Sequence, residues 1–177
     1  MSELDGCRAR TMTANDLDAI RTWRNQPEVR RFSLTQHEIG AAEHAAWFER
    51  TSTDPRRKLF IIEENGDALG FVNFNDVEPQ GIANWGFYAA PGARRGSGRI
   101  LGRVAIREAF TGMALHKICG QALASNEASI RMHLSLGFRE EGRLREQCRI
   151  NGLYHDLVCF GLLRSEWISQ KEVKVAK

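Results

Sequence analysis

The residues most able to do chemistry lie in one short stretch. An aromatic strand, Trp85-Gly86-Phe87-Tyr88-Ala89-Ala90-Pro91, runs into the basic glycine loop Gly92-Ala93-Arg94-Arg95-Gly96-Ser97-Gly98-Arg99, and an apolar-periodic segment follows from Ile100. Such a loop is built to cradle an anion of the pyrophosphate kind. Gly96 and Gly98 let backbone N–H groups come close to a ligand, and the first helical turn adds donors and a positive dipole end. Arg94, Arg95 and Arg99 supply charge that matches phosphate oxygens. A strand followed by Gly-x-Gly is also compatible with a solvated basic turn before an ordinary helix. A second stretch, from Leu123 through Ser125-Asn126-Glu127 to Leu136-Gly137-Phe138, reads as a strand end, a polar cap, a short helix and a closing glycine.

The elements that must position these residues follow from periodicity. Residues 7–12 read as a first strand, and Thr13 or Asn15 caps a helix carrying Leu17, Ile20 and Trp23 at helical spacing. A turn with Pro27 precedes a helix near Ala41–Arg50. Lys58–Glu63 and Leu69–Asn75 read as strands joined at Asn65-Gly66, and Gly81–Tyr88 reads as a strand with a bulge at Gly86. A helix over 97–111, a strand Ile118–Leu123, a helix Glu127–Leu136 and a strand Phe138–Ile150 follow. Asn151-Gly152 turns the chain into a last strand, Leu153–Leu163, whose apolar run suits an interior strand or a homodimer interface. No linker or repeat divides residues 1–177, which read as a single domain with a frayed tail from about 170 to 177.

Composition narrows the function classes. A chain of 177 residues can bury a sizeable α/β core, and a net charge of +3 is too mild to suggest nucleic-acid binding. Cys7, Cys119, Cys148 and Cys159 are scattered, without zinc spacing, so no metal is expected. The amino terminus lacks a signal-sequence pattern and no apolar run is long enough to span a bilayer, so a cytoplasmic protein without membrane partners is expected.

The glycine loop and the Asn126-x-x-Ser129…Gly137-Phe138 helix, taken in this element order, closely resemble the GNAT N-acetyltransferase superfamily. The resemblance covers nearly the whole chain. It implies an α/β fold with a mixed, mostly antiparallel sheet of about seven strands, about four flanking helices and a V-shaped splay between the two central strands. It implies acetyl-CoA as donor, with Phe87, Tyr88 and Ala89 pairing the pantetheine amides, the amides of Arg94, Arg95, Gly96, Ser97, Gly98 and Arg99 holding the pyrophosphate, and Asn126 and Ser129 beside the pantetheine. Two positions depart from the family pattern. Ala93 stands where the loop usually opens with Gln or Arg, and His133 stands where a tyrosine commonly acts as general acid. His133 is therefore the candidate catalytic acid, with a cleft-lining helix residue as the alternative. The implied reaction is direct attack of a neutral amine on the thioester; no cysteine lies in a nucleophile-plus-base pattern. Glu28, Glu38 and Asp156 are the carboxylates from which a base could come.

Acceptor specificity is sought in the N-terminal third and the last hairpin. Trp-Arg-Asn-x-Pro-Glu-Val-Arg from Trp23, Gln-His-Glu-Ile from Gln36 and the ending Glu141 through Asp156 look like the GNAT branch that acetylates a UDP-linked 4-amino-4,6-dideoxy sugar in pseudaminic acid synthesis. By that resemblance Arg24, Asn25, Arg30, Arg31 and His37 are candidates for a sugar-nucleotide pocket. Asn73 and Asn75, on one face of a strand, are candidates for the sugar hydroxyls. A similar ending occurs in protein N-terminal and polyamine acetyltransferases, which stay as alternatives beside a non-catalytic acetyl-CoA-binding module.

Overall fold

The computed structural model describes residues 4–94 and 96–175, with side chains described through residue 170. One continuous sheet organises them. Its strands are β1 (Cys7–Thr11), β2 (Lys58–Glu64), β3 (Asp67–Asn75), β4 (Ile82–Ala89), β5 (Lys117–Leu123), β6 (Arg139–Ile150) and β7 (Leu153–Leu163). Their spatial order is β1-β2-β3-β4-β5-β7-β6, and every neighbouring pair is antiparallel except β4 with β5. The helices are α1 (Leu17–Arg24), α2 (Pro27–Arg30), α3 (Ala41–Ser52), α4 (Ser97–Arg107), α5 (Glu127–Ser135) and α6 (Arg164–Val175). There are thus six helices among the described residues, where about four were expected. α2 is a single turn with Pro27 at its start, and α6 occupies much of the stretch read as a frayed tail.

Alternation along the strands divides the core between two faces. Leu59 and Ile61 of β2 and Phe71 of β3 pack with Met12 and Ile20, with Trp23 of α1 and Trp47 of α3 against them. Ile62, Val72 and Phe74 point the other way and pack with Leu101, Val104 and Ala105 of α4. The apolar residues of α4 recur every three or four positions, so one stripe of that helix covers the sheet. Two Asn-Gly pairs make the hairpins read from the sequence. Asn65 (φ 54°) and Gly66 (φ 94°), like Asn151 (φ 50°) and Gly152 (φ 83°), both adopt positive φ, as a two-residue turn matched to strand twist requires.

Two expectations about individual positions need correction. Gly86 is not a bulge, because β3 and β4 pair without a register shift from Gly70↔Ala89 to Asn75↔Asn84. Glycine is there for close approach: a Cβ would come within 2.8 Å of Asn73 Oδ1. The helix over 97–111 is also not uniform, since α4 gives way to a π-turn at Glu108–Gly112. β7 is interior, between β5 and β6, which accounts for its apolar run. No described helix is long and apolar enough to cross a membrane.

The parallel pair shapes the site. β4 and β5 are joined only at Ile82↔Lys117, Ala83↔Ile118 and Asn84↔Cys119. Beyond these pairs the strands part, and the β4 edge from Trp85 to Ala89 has β3 on one side and no strand on the other.

Candidate active site

The splay opens into a cleft of about 540 Å³. Trp85, Gly86, Phe87 and Tyr88 of β4 form one wall, and Gln121, Ala122 and Leu123 of β5 the other. Asn126, Ser129, Met132 and His133 approach from α5, and Glu28, Arg31 and Leu34 lie across the mouth. The β4 backbone along this wall has N–H and C=O groups not engaged by β5, which is the fit an extended, amide-bearing arm needs. Asn126 caps α5, its Oδ1 accepting from the Ser129 amide at 3.1 Å. That bond turns the carboxamide so that Nδ2 is the atom left to donate toward the cleft.

The pyrophosphate loop is described except for Arg95, whose expected role lies outside the described residues. Gly96 (φ 95°) caps α4, and the Ser97 side chain is 1% exposed with its Oγ unpartnered among the described residues. An unsatisfied buried hydroxyl at a helix N-terminus fits an anion, so Ser97 would join the loop amides in holding the diphosphate of acetyl-CoA. Not every amide expected there is open: Ser97 N already donates to Arg94 O and Arg99 N to Gly96 O, each at 3.0 Å. Gly98 lies in the first turn of α4, beside Met132 of α5. The Arg94 guanidinium reaches back to Glu64, at 2.6 and 2.9 Å from its two oxygens. Arg107, near the end of α4, ties that helix to β1, since its Nη2 donates to Cys7 O at 2.9 Å.

His133 does not have the geometry of a general acid. It is 1% exposed, and Trp85 Nε1 lies 3.1 Å from its Nε2. The indole nitrogen can only donate, so His133 Nε2 accepts and the ring proton sits on Nδ1, 2.8 Å from the Ser129 carbonyl that receives it. Burial pushes the imidazole below its ordinary value of 6.5, which keeps it neutral. The one ring proton is committed to the Ser129 carbonyl, and Nε2 has none to hand to a departing thiolate.

A second cavity, of about 660 Å³, lies behind Tyr88 between α1, α3 and β3. Tyr88 and Leu34 border both spaces. Arg24, Arg50, Arg57 and His44 line this chamber, with Glu43 its one carboxylate, and Asn73 and Asn75 share its β3 wall. Arg24 Nη2 donates to Thr35 O at 3.2 Å, while its Nη1 is buried without a partner among the described residues; so is His44 Nδ1. Burial, with Arg21 and Arg24 nearby, lowers the His44 pKa, and burial lowers that of Arg24. Burial likewise raises that of Tyr88 well above its usual 10.

The expected acceptor residues are therefore divided. Arg24, Asn73 and Asn75 meet in the chamber, and Arg31 reaches the cleft, its guanidinium 4.5 Å from the Phe32 ring centroid. Asn25 is consumed by the fold: its carboxamide accepts from Ile39 N at 2.8 Å and donates to Ile39 O at 2.9 Å. His37 pairs with Glu43 at 3.0 Å on the surface. Arg30 lines neither cavity, and its carbonyl accepts from Gln36 at 2.9 Å. Asp156 and Glu38 line neither space, and Asp156 Oδ1 accepts from the Glu146 amide at 2.9 Å in an irregular stretch of β6. His44, Arg50 and Arg57 were not anticipated. His44 lies inside the amphipathic pattern of α3, stacked on Trp47 at 5.0 Å, where a histidine reads as core. Among the described residues no group of three or more His, Cys, Asp or Glu could hold a metal ion.

Comparison with known proteins places this geometry. A family model described as an acetyltransferase (GNAT) domain matches residues 8–139. An uncharacterized N-acetyltransferase, YokL, of Bacillus subtilis is 27% identical over 68% of this chain and 70% of its own length. A putative ribosomal N-acetyltransferase, YdaF, of the same organism is 38% identical over 39% of this chain and 38% of its own. The spermidine N(1)-acetyltransferase of Vibrio cholerae is 24% identical over 92% of this chain and 96% of its own. A crystal structure of spermidine N-acetyltransferase from Vibrio cholerae, in complex with CoA and spermine, superposes with a TM-score of 0.84 over 93% of this chain and 99% of the other, at 24% identity, and so shares its fold. The pseudaminic acid branch expected from the sequence gains no support from these relatives. The open parallel pair, the capped glycine loop and the matched family model agree: the chain belongs to the GNAT acetyltransferase family, and it is an acyltransferase that takes its acetyl group from acetyl-CoA.

Proposed function

We propose that the amine acetylated by this enzyme is carried on an anionic small molecule, with a nucleotide-linked 4-amino sugar as the best-fitting class. One observation carries the reading. Among the described residues, the chamber behind Tyr88 gathers Arg24, Arg50 and Arg57 against a single carboxylate, and it leaves Arg24 Nη1 and His44 Nδ1 buried and unpartnered. Buried donors of this kind are costly without a ligand, and a diphosphate would satisfy both. Asn73 and Asn75 on the same wall suit sugar hydroxyls. When bound, acetyl-CoA supplies the activated acyl group. The protein's part is to hold the cofactor along β4, exclude water with α2, and hold the amine where the chamber meets the cleft. Glu28, the one carboxylate lining the cleft, is placed to take up the amine proton directly or through water.

A polyamine is the second reading, favoured by the spermidine N(1)-acetyltransferase relative that spans most of the chain. Charge weighs against it, since a polycation would have to enter beside three guanidinium groups. The two readings separate in a CoA-release assay with acetyl-CoA and three acceptors: a UDP-linked 4-amino-4,6-dideoxy sugar, spermidine and a ribosomal-type peptide amino terminus. Fast release with the nucleotide sugar, competitively inhibited by UDP, is expected. Release with spermidine alone, unaffected by UDP, overturns the anionic reading and leaves the acetyltransferase intact.

A further inference from the structure

The last residues to pair β4 with β5 are Asn84 and Cys119, so Trp85 and Gly120 are the first residues beyond the vertex of the splay. A hydrogen bond occupies that vertex. Trp85 Nε1 donates to His133 Nε2 at 3.1 Å, directly over Gly120. A Cβ on Gly120 would stand 2.5 Å from His133 Nε2 and 2.7 Å from Trp85 Nε1, so the pair fills the space to the last methyl group. The imidazole is held on its other sides as well. Its Nδ1 donates to Ser129 O at 2.8 Å, its face stacks on Phe160 of β7 at 4.5 Å and 11°, and its edge meets Phe138 at 5.2 Å. Trp85 in turn stacks on Phe138 at 5.0 Å and 18°. One imidazole thus joins β4, α5, β7 and the segment entering β6. It does so at the floor of the cleft, which both Trp85 and His133 line.

We propose that Trp85 and His133 form a wedge that sets the opening of the splay, and that His133 is a positioning residue for acetyl-CoA. A merely apolar plug would fill the same volume, but the directional bond admits one relative placement of β4 and α5. Those two elements carry the backbone edge and the Asn126 carboxamide that face the cofactor. A change at the wedge therefore reaches cofactor binding before it reaches chemistry.

The test uses the intact enzyme and the variants H133F, W85F and W85F/H133F, with calorimetric CoA binding and steady-state kinetics read side by side. H133F strands a buried indole N–H and W85F strands an imidazole nitrogen, whereas the double variant removes both partners together. Each single variant is expected to weaken CoA binding and raise KM for acetyl-CoA about tenfold. Saturating kcat should stay within about threefold, because the loss falls on binding shared by ground and transition state. The double variant should recover CoA affinity to within about threefold of the parent. If H133F fails to fold, W85F and the double variant carry the same comparison in melting temperature and CoA affinity. A double variant that stays as impaired in kcat as H133F, with W85F near the parent, overturns the wedge and returns His133 to proton transfer. Failure of the double variant to recover CoA affinity overturns it as well.

Discussion

At the scale of single residues, the informative groups are those whose polar atoms the fold leaves unused. His44 is 5% exposed, its Nδ1 has no partner among the described residues, and burial together with Arg21 and Arg24 holds it below the ordinary 6.5. An anionic acceptor arriving beside it raises that pKa, so binding takes up a proton. The sign is fixed by linkage: the extra affinity is present below the free pKa and is lost as pH rises through the bound one. The acceptor KM should accordingly be lowest below the free His44 value, which lies under the ordinary 6.5, and climb as pH rises through the bound one, while KM for acetyl-CoA does not follow it. H44F should flatten the climb and raise the acceptor KM about tenfold, measurable in the CoA-release assay. An acceptor KM with the same pH dependence in H44F and parent would remove His44 from the site. The sequence offered Arg24 through its resemblance to a GNAT branch and Asn73 and Asn75 through strand alternation, but it could not show His44. A lone histidine at helical spacing carries no sign of whether its second nitrogen is satisfied. The same blindness admitted Asn25, whose carboxamide is spent on Ile39, and Asp156, which lines neither cavity.

At the scale of elements, local signals were legible wherever backbone chemistry forces the outcome. The two Asn-Gly hairpins, the Asn126 cap and the glycine at the start of α4 all follow from φ preferences or unpaired amides. α6 carries a local start signal that the sequence reading passed over, since Glu166 Oε2 accepts from Leu163 N at 3.1 Å three residues back, whereas the contact that seats the helix, Trp167 on Phe110 at 5.3 Å, is tertiary. The tertiary contact has no local pattern. Asn126 invites a test, because Oδ1 caps the helix while Nδ2 is the atom proposed to serve the cofactor. N126A removes the cap and should cost about 1 kcal/mol of stability, as well as raising KM for acetyl-CoA. N126D keeps an accepting oxygen for the Ser129 amide but has no Nδ2 to donate, so its melting temperature should return while its KM stays high. Recovery of both in N126D would mean that Asn126 acts on the cofactor only through the helix it caps.

At the scale of the whole molecule, the sheet is two blocks joined along a short seam. β1 to β4 form one block and β5, β7 and β6 the other. Between them the strand pairing is limited to Ile82–Asn84 with Lys117–Cys119. The seam is reinforced by α4, which packs on β1, β2, β3 and β4 and also touches α5, and by the Trp85–His133 bond. A ligand lying in the splay contacts β4 on one block and α5 on the other, so it acts as a further brace across the seam. CoA at one hundred times its dissociation constant should stabilise the fold by about 2.7 kcal/mol. For a chain of this length that corresponds to a rise of roughly 5 to 10 °C in melting temperature. The glycine loop proposed to receive the diphosphate is exposed at Arg94 and Arg99, so raising salt from 50 to 500 mM should cut the rise as screening weakens the anion's grip. The contribution from the pantetheine contacts along β4 should survive that screening. A scanning melt with CoA and with dephosphorylated pantetheine at both salt concentrations separates the two. If pantetheine held at one fixed concentration gives a rise that salt leaves unchanged, the brace lies in the splay itself. If the rise with CoA is also indifferent to salt, the glycine loop contributes backbone contacts without the arginine charge that its sequence advertises.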